Sequence, residues 1–183
     1  EQTIITHPKS GKERCFTFDK SYDSFLPSNH PDHASQLTVW TDLGEDVLNN
    51  AWEGYNVSLF AYGQTGAGKS HSMVGYPGAE GIVPKACREI FKRIGLNQDP
   101  HITHKVEASM LEIYNERTRD LFDPSGSKKN LKVRDNPKSG PYVQNLTKTA
   151  VSDYPALQRA MDAGTAARTV AATAMNATSS RAH

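Results

Sequence analysis

The stretch that most constrains this chain runs from Tyr55 to Met73, Y-N-V-S-L-F-A-Y-G-Q-T-G-A-G-K-S-H-S-M. Its apolar run, Val57 to Tyr62, predicts a buried strand. The run ends at Gly63, which opens Gly63-Gln64-Thr65-Gly66-Ala67-Gly68-Lys69-Ser70. That spacing is G-x-x-x-x-G-K-[ST], a phosphate-binding loop. Gly63, Gly66 and Gly68 permit backbone angles closed to other residues, so successive N–H groups can turn inward around an anion. Lys69 adds a compact positive charge for the outer phosphates, and the Ser70 hydroxyl suits the accompanying magnesium. A helix starting near Gly68 contributes its positive end. At average residue usage a chance match in a chain this long is on the order of 1%, so a glycine-rich turn that binds nothing is the weaker reading.

Composition narrows the partners. With 21 basic and 20 acidic residues the net charge is +1. No interleaving of basic and aromatic residues suggests nucleic-acid binding. Cys15 and Cys87 are few and far apart, as expected of reduced, intracellular thiols. With no leader-like start and no long apolar span, a soluble protein without membrane contact is expected. His30 and His33 lack the Cys or carboxylate partners of a metal site. The chain opens at Glu1 and stops at His183 inside a loop of functional character, so a fragment is expected.

In order, Gln2 to Thr6 and Arg14 to Phe18 predict a hairpin around Pro8-Lys9-Ser10-Gly11. Asp19 to Ala34 is loop-like. Ser35 to Glu53 predicts a helix, with Leu37, Trp40, Leu43, Val47, Leu48, Ala51 and Trp52 at three-to-four-residue steps, the two tryptophans as core anchors and Gly54 as its stop. Beyond the phosphate loop, Gly75 to Gly81 breaks the helix. Pro84 suits the first turn of another helix, ended by Gly95. Ile102 to Ile113 predicts one long strand running into Tyr114-Asn115-Glu116. Leu131 to Arg134 and Pro141 to Val151 predict strands, and Ser152 caps a last helix with Pro155 in its first turn. Strands alternating with helices predict an α/β layer fold.

The final stretch adds a second constellation, Met175-Asn176-Ala177-Thr178-Ser179-Ser180-Arg181-Ala182-His183. Together with Phe60 to Ser70, Leu111-Glu112-Ile113-Tyr114-Asn115-Glu116, Arg119-Asp120-Leu121-Phe122, Glu53-Gly54-Tyr55-Asn56 and Gly140-Pro141-Tyr142-Val143, it closely resembles the kinesin motor domain. The resemblance covers nearly the whole chain in order. The segment Arg168 to Thr173 is most similar to the kinesin-three class, transport motors that often carry a forkhead-associated domain.

The resemblance implies a three-layer α/β P-loop NTPase fold, incomplete here, with residues 1–183 as the N-terminal half of a motor domain. It implies ATP and Mg2+ as cofactors, held by Gly63, Gln64, Thr65, Gly66, Ala67, Gly68, Lys69 and Ser70. His71 is expected near the adenine, and Asn176 to His183 is the expected first switch loop. There Ser179 faces the γ-phosphate and the attacking water, Ser180 ligates magnesium beside Ser70, and Arg181 pairs with a glutamate of the second switch. Microtubules (tubulin) are the implied partner, with Lys138 to Tyr142 as a peripheral contact and Lys128 and Lys129 nearby. Cargo would bind through regions not present, and the implied location is the cytoplasmic microtubule cytoskeleton.

Two departures matter. Ala182 stands where the family usually has a third serine, which implies altered switch hydrogen bonding with magnesium binding kept. The family's Asp-x-x-Gly-x-Glu second switch and its opening Arg-x-Arg-Pro are not among these residues. The main microtubule-binding helix and neck linker, which in the family come after the second switch, are expected outside them too. Strands that would flank Val57 to Tyr62 are then missing, so apolar surface is expected bare and these residues alone are not expected to be a stable, active ATPase. The alternative reading is a non-motile kinesin-like protein that binds nucleotide or microtubules structurally. A P-loop kinase or GTPase would explain Gly63 to Ser70 but not Asn176 to His183.

Overall fold

The computed structural model describes residues 1–127 and 130–174, with backbone alone from 169 onward. The chain divides into two compact units, residues 1–61 with 69–85 and residues 62–68 with 86–183.

The first unit opens with a hairpin of β1 (Gln2–Thr6) and β2 (Glu13–Thr17), paired antiparallel from Gln2↔Thr17 to Thr6↔Glu13. The expected hairpin is present. After the next loop, the helix starts where Ser35 caps it. The Ser35 side chain accepts from the Thr38 N–H, and the Thr38 hydroxyl accepts from the Ser35 N–H, satisfying two of the amides a helix start leaves open. The helix then comprises α1 (Gln36–Val39), a π-helical turn at Trp40–Gly44, and α2 (Glu45–Trp52). Gly54 leaves it at φ 95°. Trp40 and Leu48 are buried, as are Ala34 and Ile82. Tyr22 donates its hydroxyl to Asp42 in the π-turn at 3.3 Å. Burial first, and the Asp42 charge second, push that phenol up to about 12. A short helix, α3 (Lys69–Met73), precedes a hairpin of β3 (Gly75–Tyr76) and β4 (Ala79–Glu80) around Pro77-Gly78.

Helix α4 (Ile82–Leu96) begins in the first unit, with Pro84 buried in its first turn, and continues into the second. It runs one residue past Gly95, the expected stop. Cys87 on this helix is a half-buried free thiol, and burial raises its pKa. The expected long strand is instead two strands, β5 (Val106–Ala108) and β6 (Leu111–Tyr114). The cause is a change of partner. β6 pairs with β7 (Arg117–Asp120), whereas β5 pairs with β10 (Thr149–Val151). Between them lie β8 (Val133–Asn136) and β9 (Gly140–Val143), a three-residue hairpin in which Gly140 takes φ 78°, the left-handed position such loops require.

The last helix, α5 (Tyr154–Ala174), is capped by Asp153, not by Ser152: the Asp153 carboxylate accepts from the Ala156 N–H at 2.7 Å. Leu157 and Gly164 face inward. A Cβ on Gly164 would lie 2.6 Å from Met110 Sδ, so the close approach of α5 to this part of the unit depends on glycine.

The largest correction concerns Val57 to Tyr62. Among the described residues it is not a strand and joins none of the five sheets, all two-stranded and antiparallel. Among the described residues only these two-stranded pieces are formed, which is the incompleteness expected of the layered P-loop fold in this chain. Tyr55, Phe60 and Tyr62 are 66%, 76% and 82% exposed, the bare apolar surface anticipated for a core strand without flanking strands.

Candidate functional site

The phosphate-loop stretch takes the backbone that its glycines permit. Gly63, Gly66 and Gly68 have φ of 142°, 84° and 88°, values that a side chain makes costly. At Gly66 and Gly68 an added Cβ would meet nothing within 4 Å. Backbone angle, rather than crowding, is therefore what demands glycine at those two positions. Between them the Ala67 N–H donates to the Gln64 carbonyl at 3.2 Å, closing a turn across Gln64 to Ala67. Gly63 to Gly68 belong to the second unit, and Lys69 and Ser70 to the first.

Helix α3 begins at Lys69, which puts Lys69 and Ser70 in its first turn. Ser70 is exposed and Lys69 half-buried. His71 is the next residue on the same helix. The Gln36 side-chain amide donates to the His71 carbonyl at 2.7 Å and lies 3.1 Å from its Nδ1, while the His71 ring packs on Tyr76 at 5.7 Å between centroids. His71 thereby joins the wall of a cleft of about 810 Å3 within the first unit, lined also by Ser35, Gln36, Leu37, Glu80 and Lys85. The Lys85 ammonium donates to the Glu80 carbonyl on its rim. Gln36 and His71 are 35 residues apart, and nothing in their spacing signals the cleft. Only the fold brings the start of α1, helix α3 and the β3–β4 hairpin around it.

Asn176, Ser179, Ser180 and Arg181 lie outside the described residues, as do Lys128 and Lys129. The Lys138 loop is described. Asn136 Oδ1 accepts from the Lys138 N–H at 2.8 Å and from the Ser139 N–H at 3.3 Å, fixing the β8–β9 turn with Lys138 exposed. Tyr142 is 47% exposed, and Arg134 Nε donates to Gln144 Oε1 at 3.2 Å beside the same hairpin. His33 Nδ1 lies 2.8 Å from the Leu26 carbonyl, and His30 Nδ1 accepts from the Asp32 N–H at 3.2 Å. Both histidines thus serve local loop structure.

Comparison with protein families matches residues 1–183 to the kinesin motor domain. Kinesin-related protein 1 of Dictyostelium discoideum is 51% identical over 183 residues, covering 98% of this chain and 8% of that protein. Human kinesin-like protein KIF1C is 51% identical over 185 residues, covering 99% and 17%. Rat kinesin-like protein KIF1A is 49% identical over 185 residues, covering 99% and 11%. Among solved structures, a KIF14 segment with ADP in complex with a microtubule superposes with a TM-score of 0.83 at 39% identity, covering 91% of this chain and 47% of that one. A fast kinesin gives a TM-score of 0.84 at 33% identity, covering 99% and 49%. The chain thus spans about half the length of these solved chains and a much smaller part of the curated relatives.

Proposed function

This chain belongs to the kinesin motor-domain family, in the kinesin-three class, and from that premise we propose that it is the ATP-binding part of a microtubule-based motor. The whole protein would couple ATP hydrolysis to movement along microtubules. One observation carries the reading: three glycines at positive φ lead straight into a helix whose first turn bears Lys69 and Ser70.

That arrangement fits a nucleotide polyphosphate. Gly63, Gly66 and Gly68 stand at positive φ, which a loop cradling phosphate with its amides calls for, and space beside Gly66 and Gly68 is open. Lys69 supplies a point charge toward the outer phosphates, and Gln64, Thr65 and Ala67 complete the loop that holds them. Ser70 has an exposed hydroxyl suited to magnesium, with Ser180 as the second hydroxyl ligand. Mg2+, when bound, neutralises charge on the phosphates and helps orient them. His71 is the residue proposed to lie near the adenine. Ser179 positions the attacking water, Arg181 pairs with a second-switch glutamate, and Asn176 opens the loop that carries them. Positioning and electrostatics of this kind are most of what phosphoryl transfer asks of a protein.

Microtubules are the proposed partner, through the Lys138 to Tyr142 turn among other contacts, and the cytoplasmic microtubule cytoskeleton is the proposed location. Cargo would be taken by regions outside this chain. The decisive experiment titrates magnesium-ATP against the full-length protein and its Lys69→Ala variant. Loss of at least about tenfold in affinity or turnover is expected where a charged phosphate contact is removed. Unchanged binding would remove the phosphate loop from the reading. Microtubule co-sedimentation at low salt, with Lys138→Glu weakening it, tests the partner separately.

A further inference from the structure

Glu112 in β6 stands directly opposite Arg119 in β7, and residues opposite one another on an antiparallel ladder share a face, with Cβ atoms about 5 Å apart. The Glu112 carboxylate nevertheless reaches a third element. Its Oε1 lies 3.4 Å from Arg168 Nε on α5, with the Glu112 side chain 13% and the Arg168 side chain 44% exposed. Arg119 Nε is buried and has no hydrogen-bond partner among the described residues. A buried N–H without an acceptor carries a desolvation penalty that a neighbouring carboxylate would remove. The existing pair, open to solvent on the arginine side, gains little from its charge. One carboxylate therefore has two guanidinium groups available, each favoured for a different reason.

We propose that Glu112 is a two-position latch. Paired with Arg168 it holds α5 against the β6–β7 hairpin. Rotated onto Arg119 it satisfies the buried Nε and releases α5. Two arrangements of similar free energy are what a ligand needs in order to bias a structure with little differential affinity. The inference rests on the nucleotide reading, because α5 is the helix from which the chain passes to Ser179 and Ser180. Glu112, Arg119 and Arg168 are positioning residues and touch no phosphate.

The test compares Arg168→Ala and Arg119→Leu in the full-length protein by hydrogen exchange of α5 amides and by release of a fluorescent ADP analogue. A latch moves the two variants in opposite directions. Arg168→Ala lowers α5 protection and speeds release, while Arg119→Leu raises protection and slows release, each on the order of threefold. Arg168→Lys, which keeps the charge, restores most of the wild-type protection. A merely structural role shifts both variants the same way, and that result, or no change in either, overturns the latch. Should Arg119→Leu not fold, Arg119→Gln gives the same comparison. If the wild-type protein binds no ADP analogue, the nucleotide reading fails, while hydrogen exchange still decides for or against the latch.

Discussion

The β6–β7 hairpin and the stretch from Tyr55 to Tyr62 both contain aromatic and β-branched residues, yet only one is a strand pair. The hairpin carries its own instructions. Asn115 and Glu116 take φ of 48° and 60° between the closing pair Tyr114↔Arg117, a two-residue turn whose twist matches the strands. At the end of β7, Asp120 is 2% exposed and accepts from the Phe122 N–H at 2.9 Å and the Thr147 N–H at 2.7 Å. Everything this hairpin needs lies within a few residues or one tie. Val57 to Tyr62 has the composition of a core strand but pairs with no strand among the described residues, and Phe60 and Tyr62 are 76% and 82% exposed. Strand propensity states that a segment suits a sheet; a ladder requires a neighbour.

The sharpest way to break that contrast is Asp120→Ala. It removes the acceptor for two amides in a buried place, so a loss of about 3 kcal/mol is expected in chemical denaturation. A loss below about 1 kcal/mol would show that the hairpin stands without its tie. Next comes the turn. Glu116→Gly relieves a non-glycine residue at φ 60° and should stabilise by about 0.5–1 kcal/mol. Destabilisation would mean that the Glu116 side chain contributes more than its backbone costs. The smallest effect is expected at Phe60→Ser in residues 1–183 alone, within about 0.5 kcal/mol, because that side chain is 76% exposed. The same substitution in the full-length protein should cost about 3 kcal/mol or more if flanking strands bury it there. Equal effects in the two settings would refute the idea of a core strand awaiting its neighbours.

Legibility in the sequence divides along the same line. The β1–β2 hairpin, the Ser35 start, the Gly54 stop and the β8–β9 turn are each specified by residues close in sequence, and each appears where expected. The break between β5 and β6 was not legible, because alternation continues across it while the partner strand changes. Ser152 and Asp153 both satisfy the chemistry of a helix cap, and only backbone geometry selects Asp153. At the candidate site, the glycines and Lys69-Ser70 announced themselves by spacing. The neighbourhood of His71 did not, since Gln36 reaches it only through the fold.

The turn Trp40–Gly44 is wound wider than those on either side, and a Cβ on Gly44 would collide with the Trp40 indole. A π-turn holds roughly one residue more than an α-turn, so it offsets the remainder of the helix by about 100° around the axis. Removing a single residue there would swing Val47 and Leu48 away from the side they now occupy. Insertion and deletion, more than substitution, are therefore the changes this helix is least able to absorb.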